Sequence, residues 1–260
     1  MVVGIKDEGV ALERTVILGA ARTPFGRFGG VLSPLSAPEL GGAAIREAVD
    51  RSGVEDGEVQ HSIFGIVVQA GVGQIPSRQA NFVDADEPVR RDTTIEKLAK
   101  LSPIDEGGTV TAGNAPGVTD GAGALVLASE SYAEKRGLEP LGTIVAHAKV
   151  AEEPPSLLTV PGNSGKLALH KAGWSAKDLD LVEINEAIAG VAIHSTRILG
   201  VNPEIVNVNG GALALGHPVG ASGARILTTL FYELRRRGGG RGLAAICSGG
   251  GQGDAVLVEV

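Results

Sequence analysis

The stretch "NVNGGALALGHPVGASGAR", residues 207–225, places five glycines around one histidine, His217. An apolar run before it predicts a strand, and the run "SGARILTTLFYELRRRGG" (222–239) predicts a helix, because its apolar residues recur every three or four positions. A glycine-rich loop between a strand and a helix can bring backbone N–H groups against a ligand. The stretch therefore predicts a ligand site in an α/β fold, with His217 as a candidate functional residue.

The rest of the chain repeats this alternation of apolar runs and amphipathic stretches. A second helix is predicted over 38–53, where apolar residues again share one face. Eight short apolar runs predict strands buried in a sheet that helices cover. These runs are 15–20, 62–70, 123–129, 141–150, 179–187, 204–210, 242–248 and 254–260.

Two segments share one plan. Residues 43–70 and 165–187 both read as a helix, a glycine, an acidic loop and an apolar strand. This internal similarity suggests two related halves. By contrast, 77–94 has no apolar period and reads as a surface loop.

Composition excludes several classes of function. The 260 residues carry a net charge of −7, which disfavours binding to nucleic acid or to an anionic membrane surface. One cysteine excludes an internal disulfide and a CxxC metal site, so no metal is expected. The charged residues near the start do not form a signal peptide, and no apolar run is long enough to span a membrane. These features favour a cytosolic or organelle-matrix protein, and of the two we expect a cytoplasmic one.

Two further side chains stand at the ends of predicted strands. Asn185 ends one in "VEINEA", where it could meet a ligand or cap a helix. Cys247 ends another, directly before the glycines of "CSGGGQGD" (247–254). A thiol in this position could be a nucleophile, a general base or a small buried residue.

Taken together, six motifs resemble one family, the thiolases, which comprise acetyl-CoA acetyltransferases and 3-ketoacyl-CoA thiolases. The motifs cover nearly the whole chain in the family's order. They are "AARTPFGRFGG" (20–30), "GVGQIPSRQA" (71–80), "GGTVTAGNAPGVTDGAGALVL" (107–127), "NEA" (185–187), "NVNGGALALGHPVGASGAR" (207–225) and "CSGGGQG" (247–253).

The resemblance implies both a fold and a set of site residues. The fold would be two related α/β halves packed in five layers, with 1–130 as the N-terminal half and 131–260 as the C-terminal half. Cys247 would be the base that removes and returns the α-proton, and His217 would bind the thioester oxygen and activate the nucleophile. Asn185 would hold a water of the first oxyanion hole, and the Gly249 amide would belong to the second.

The chain also departs from the family pattern. The family's nucleophilic cysteine should follow the block at 71–80, but the sequence passes almost directly into "DADEPVRRDTTIEKLAKL" (84–101), which resembles a later part of the family. This implies an internal deletion with its seam near 81–86, an incomplete N-terminal half in the region 81–92, and a largely missing loop domain. Such a loss should expose apolar residues in that half.

Three further positions are expected to contact substrate. Arg90 matches a residue that contacts the nucleotide end of coenzyme A. Pro116 stands where many members have a serine near the thioester, and Ile188 stands where the family often has phenylalanine.

The resemblance implies an acyl-CoA:acetyl-CoA C-acyltransferase that forms or cleaves 3-ketoacyl-CoA. Its substrates would be acyl-CoA and acetyl-CoA thioesters, without a bound cofactor. It would act as a homodimer or homotetramer if the N-terminal half is intact. Because the nucleophile is absent, two alternatives stay open, a non-catalytic CoA-binding remnant or subunit and a Cys/His thioester hydrolase.

Overall fold

A computed structural model describes residues 13–67 and 85–260 of the chain. In this described part the chain alternates strands and helices. The strands are β1 (Thr15–Arg22), β2 (Gly26–Arg27), β3 (Thr119–Asp120), β4 (Gly123–Ser129), β5 (Gly142–Ala151), β6 (Leu181–Ile184), β7 (Arg241–Ser248) and β8 (Gln252–Glu259). The helices are α1 (Ala37–Ser52), α2 (Ile95–Leu98), α3 (Glu130–Arg136), α4 (Val160–Ala172), α5 (Ala189–Leu199), α6 (Ala212–Leu215) and α7 (Ser222–Arg236).

Six strands form one mixed sheet in the order β4-β1-β5-β8-β7-β6, and β2 pairs with β3 separately. Strands β6 and β7 are parallel, whereas the other neighbours in this sheet are antiparallel. β1 pairs with β5, for example at Val16 and Thr143, and thereby joins the strands of the two predicted halves edge to edge. The predicted α/β class is confirmed. Where the resemblance implies two sheets within five layers, six described strands from both halves lie in one sheet, and β2 and β3 form a separate pair.

Helices cover both faces of this sheet. The apolar stripe of α7 packs on one face and buries Ile226, Leu230, Phe231 and Leu234 completely or nearly so. Burial of each such side chain contributes about 1.5–3 kcal/mol. Helices α4 and α5 pack on the opposite face, against β6, β7 and β8. The fold thus holds the carboxyl ends of β6 and β7 between helices on both sides.

The predicted helix over 38–53 is confirmed as α1, and local signals explain its bounds. Ser36 and Glu39 form a capping box at its start, in which each side chain accepts a hydrogen bond from the other residue's backbone N–H. The helix ends before Gly53, whose φ of 68° lies in the left-handed region that glycine adopts most easily.

The strand predicted over 62–70 is wrong where it can be checked. The described residues 61–67 form no strand, and Ile63 and Phe64 are 96% and 65% exposed. Apolar composition favours a strand only if a neighbouring strand can pair with it, and none of the described strands does. Residues 68–70 of this prediction, and the motif at 71–80, lie outside the described residues.

The predicted strand at 179–187 is shorter than expected, and the one predicted at 204–210 is wrong. Of 179–187 only β6 is a strand. In 204–210 the chain forms a 3-10 helix at Pro203–Ile205 and one isolated bridge to β6 at Val206. Asn207 then takes a φ of 49°, which ends any extended conformation there.

The chain after the predicted seam is anchored to the loop that follows β1. Residues 81–84 lie outside the described residues. The Asp86 carboxylate accepts hydrogen bonds from Arg22 at 2.7 and 2.8 Å and from the Phe25 N–H at 2.9 Å. Segment 85–94 is a loop, as predicted. Within the described ranges, no helix has the length and apolar character needed to cross a membrane.

Candidate active site

The candidate site lies where the parallel strands β6 and β7 end. Asn185 directly follows β6, and its N–H donates to the Ala245 carbonyl of β7 at 2.9 Å. Cys247 lies near the end of β7, two residues beyond this contact. Because neighbouring parallel strands end at the same sheet edge, both residues stand at the edge where α/β folds bind ligands.

The glycine-rich loop brings His217 to this edge. Gly216 has a φ of 107°, and a Cβ there would lie 2.8 Å from the Thr119 hydroxyl oxygen. The N–H of His217 donates to that same oxygen at 3.1 Å. The loop can therefore approach Thr119 only because residue 216 is glycine.

Both ring nitrogens of His217 have partners. Nε2 lies 3.3 Å from the Asn185 side-chain nitrogen, and Nδ1 lies 2.6 Å from the Ser222 hydroxyl oxygen. The Ser222 hydroxyl donates to the Pro218 carbonyl at 3.1 Å. Burial, and secondarily the positive charge of Arg225, lower the pKa of His217, so that its ring is neutral at physiological pH.

The Glu186 side chain is hydrogen-bonded to the same glycine-rich loop. Its carboxylate accepts from the Asn207 side chain at 3.1 Å and from the Leu213 N–H at 2.9 Å. A Cβ at Gly211 would lie 2.2 Å from one of the Glu186 carboxylate oxygens. Glu186 therefore positions the glycine-rich loop through contacts that need a glycine at 211.

Cys247 is half-buried, and burial raises the pKa of its thiol. It is consequently a thiol at neutral pH. The glycines after it make the tight turn between β7 and β8, with Gly250 and Gly251 at φ values of 81° and 77°. Gly249 is exposed in this turn.

The three residues predicted to contact substrate, Pro116, Ile188 and Arg90, make no direct side-chain contact with His217 or Asn185 among the hydrogen bonds of the described part. Pro116 is half-buried in a loop that reaches the site, since the Asn114 carbonyl accepts from the Ala189 N–H at 2.8 Å, beside the half-buried Ile188. Arg90 is exposed before α2, and no hydrogen bond within the described part joins it to the site.

Below Asn185 lies a buried ion pair that the sequence analysis missed. Glu183 and Arg225 are 3% and 0% exposed. An Arg225 guanidinium nitrogen donates to the Glu183 carboxylate at 2.9 Å, and another donates to the Asn185 side-chain oxygen at 3.3 Å. The available signal was a glutamate inside an otherwise apolar strand, since buried carboxylates occur mainly with a partner.

The site as described contains a neutral imidazole, an amide, a thiol and a loop of backbone amides. No group of three or more His, Cys, Asp or Glu residues suited to a metal ion occurs in the described ranges. Such a set of groups can polarise a carbonyl oxygen and move a proton at an adjacent carbon.

Two family models match the chain over nearly its whole length. "Thiolase, C-terminal domain" matches residues 138–260, and "Thiolase, N-terminal domain" matches 15–83 and 79–131. The chain belongs to the thiolase family. The N-terminal match comes in two segments that overlap over 79–83, where the predicted seam begins.

Curated relatives of this chain are acetyl-CoA acetyltransferases. The enzyme of Shinella zoogloeoides is 50% identical over 206 residues, which are 79% of this chain and 51% of that protein. The enzyme of Rhizobium meliloti is 52% identical over 178 residues, 68% of this chain and 45% of that protein. The cytosolic enzyme of Mus musculus is 49% identical over 180 residues, with the same two shares of 68% and 45%. The chain spans about half the length of the curated relatives it matches.

Solved structures support the same family. The acetyl-CoA acetyltransferase of Bacillus anthracis superposes with a TM-score of 0.84 at 26% identity, covering 96% of this chain and 99% of that one. Human mitochondrial 3-ketoacyl-CoA thiolase in complex with CoA gives a TM-score of 0.83 at 27% identity, covering 95% and 98%.

Proposed function

We propose that this chain carries a thiolase-type site for acyl-CoA thioesters, that of an acyl-CoA:acetyl-CoA C-acyltransferase. The observation that carries the proposal is the Asn185–His217 hydrogen bond at the sheet edge where Cys247 lies near the end of β7. The substrates would be acetyl-CoA and a second acyl-CoA, with no resident cofactor.

The proposed chemistry begins at the methyl group next to the thioester carbonyl. The Cys247 thiolate takes a proton from this carbon, and the electron pair of the C–H bond moves onto the thioester oxygen as an enolate. His217, once its Nε2 has taken up a proton, and the water held by Asn185 would donate to that oxygen, while the Gly249 amide would belong to the second oxyanion hole; one well-placed donor is worth on the order of 10²- to 10³-fold in rate. Return of the proton from the Cys247 thiol restores the substrate.

The cysteine content limits how much of the family reaction this chain completes. Cys247 is the single cysteine of the sequence, and the role we propose for it is that of the base. The family's acyl-enzyme needs another thiol, so we propose that the chain retains the proton-transfer half of the condensation. Arg90 would contact the nucleotide end of CoA, and Pro116 and Ile188 would flank the thioester.

The direct test is exchange of the acetyl-CoA methyl protons for deuterium in D2O, followed by proton NMR. We expect exchange above the uncatalysed rate. Cys247→Ala should lower it by roughly 10²- to 10⁴-fold, the usual range for loss of a general base. His217→Ala should lower it by roughly 10²- to 10³-fold. His147→Ala, which removes a half-exposed imidazole from β5, is the matched control and should leave exchange unchanged.

The same experiment has a defined pH dependence. Because burial raises the pKa of Cys247, little thiolate is present at neutral pH. The exchange rate should therefore rise with pH through the range in which this thiol ionises, above its ordinary pKa. A rate that is flat over this range, or equal in Cys247→Ala, would contradict the assignment of the base.

The two alternatives give different results. A CoA-binding remnant would bind acetyl-CoA, measured by calorimetry, without exchange. A thioester hydrolase would release CoA, and the intact mass of the protein would show an acetyl group on Cys247. A cytoplasmic location and a homodimer or homotetramer remain predictions.

A further inference from the structure

The buried pair beneath the site has one feature that a purely structural ion pair does not need. One terminal nitrogen of Arg225 donates a hydrogen bond to Glu183, and the other donates to Asn185. The buried Nε of Arg225 has no hydrogen-bond partner among the described residues. A guanidinium facing a carboxylate commonly makes two parallel bonds to it. Here Arg225 makes only one bond to the Glu183 carboxylate and uses its second terminal nitrogen for the Asn185 side-chain oxygen. Charge pairing with Glu183 alone does not explain this contact with the site.

The direction of each hydrogen bond follows from Arg225. A guanidinium only donates, so the Asn185 atom that faces it is the oxygen, and the Asn185 NH2 group faces His217. The NH2 group also only donates, so Nε2 of His217 accepts. In a neutral ring the proton is then on Nδ1, which donates to Ser222, whose hydroxyl donates to the Pro218 carbonyl.

We propose that Arg225, held by Glu183, is a positioning residue that fixes the orientation of the Asn185 amide and so keeps the proton of neutral His217 on Nδ1. Nε2 then accepts from the Asn185 NH2 group through its single lone pair, and it can take a proton from an incoming thiol only when this hydrogen bond opens. After that step the same Nε2–H can donate to a thioester oxygen.

Arg225 acts only through Asn185. Its guanidinium is fully buried on α7, one layer below the edge that substrate would reach. The value of the tautomer for catalysis rests on the function proposed above. The tautomer itself is measured without substrate. The experiment can therefore contradict the tautomer proposal without contradicting the proposed function, and the reverse.

The test is the tautomer of His217 in the folded full chain, read from long-range proton–nitrogen NMR correlations of protein labelled with ¹⁵N-histidine. His217→Gln identifies its signals among the five histidines. We expect the Nδ1–H form in excess, by up to about tenfold for one net hydrogen bond. A wild-type ring with its proton mainly on Nε2 overturns the proposal without any variant.

Two variants separate Arg225 from the other partner of the ring. Arg225→Met frees the Asn185 amide to turn, so the two tautomers should become comparably populated. Ser222→Ala removes the acceptor at Nδ1 but keeps Arg225, so the Nδ1–H form should stay in excess. An unchanged tautomer in Arg225→Met, or loss of the excess in Ser222→Ala, overturns the proposal. If Arg225→Met does not fold, the wild type and Ser222→Ala still decide.

Glu233→Gln is the control for loss of a buried charged side chain from α7. Glu233 is 6% exposed on the same helix and pairs with Arg236 and Arg237, both at 2.7 Å, away from His217. Its loss should destabilise the chain and leave the His217 tautomer unchanged. A tautomer shift in this control would mean that general loosening of α7, rather than Arg225, sets the proton position.

Discussion

Residues 37–67 and 160–187 begin alike and end differently. Helix α1 ends at Gly53 with a φ of 68°, and helix α4 ends at Gly173 with a φ of 67°. A 3-10 turn with a capping box follows each helix, at Asp56–Glu58 and at Ala176–Asp178. The first segment then continues as an exposed chain, whereas the second enters the buried strand β6.

The difference shows which features are local. A cap, a left-handed glycine and a 3-10 turn are specified by a few adjacent residues, so both segments form them. A strand needs partners from elsewhere in the chain. β6 lies beside β7 with helices on both faces, while 61–67 is not paired with any described strand.

The largest change in stability is expected from replacing one isoleucine in each segment with alanine. Ile184 in β6 is fully buried, and Ile63 is 96% exposed. Ile184→Ala should lower the free energy of unfolding by about 2–5 kcal/mol, because it leaves a cavity in the core. Ile63→Ala should change it by less than about 0.5 kcal/mol. Urea denaturation of both variants measures these values. A loss at Ile63 as large as that at Ile184 would show that 61–67 is packed in solution.

The same distinction explains what could be predicted from the sequence. Helices α1 and α7 were predicted nearly to their ends, because apolar period and caps are local. The strand at 62–70 was predicted from apolar residues alone, and these do not reveal whether a neighbouring strand exists. Strand β8, equally short and apolar, was correctly predicted, and it lies between β5 and β7.

The candidate site divides in the same way. His217, Asn185 and Cys247 could be selected from motifs because glycine-rich turns and strand ends mark them in the sequence. Thr119, which accepts a hydrogen bond from His217, is 98 residues away along the chain. Arg225 is 42 residues from Glu183, and neither shows which residue it pairs with until the fold brings them together.

An intermediate change in the free energy of unfolding is expected at the helix-ending glycines, which the two segments share. Gly53→Ala and Gly173→Ala should each lower the free energy of unfolding by about 1–2 kcal/mol, because alanine is disfavoured at positive φ. Gly53→Ala should cost slightly more, since its Cβ would lie 3.1 Å from Leu138, whereas the site at Gly173 is open. Thermal unfolding of both variants measures the pair.

Gly41→Ala is the control for these two substitutions. Gly41 lies inside α1 with open space where a Cβ would be, so the same change should stabilise the protein by about 0.5–1 kcal/mol. Costs that differ strongly between Gly53 and Gly173 would mean that the two helix ends are less alike than their geometry indicates.

Substitutions at the exposed end of the first segment should have the smallest effect on stability. They should nevertheless change how strongly the protein surface binds a hydrophobic dye. Ile63, Phe64 and Val67 are 96%, 65% and 61% exposed and close together in the chain. Adjacent exposed apolar side chains bind hydrophobic dyes more strongly than isolated ones. The double variant Ile63→Ser/Phe64→Ser should therefore lower dye fluorescence while changing the unfolding free energy by less than about 0.5 kcal/mol. Ile193→Ser, at an exposed residue of α5, should leave fluorescence nearly unchanged, and an equal decrease in this control would show that 61–67 forms no distinct apolar surface.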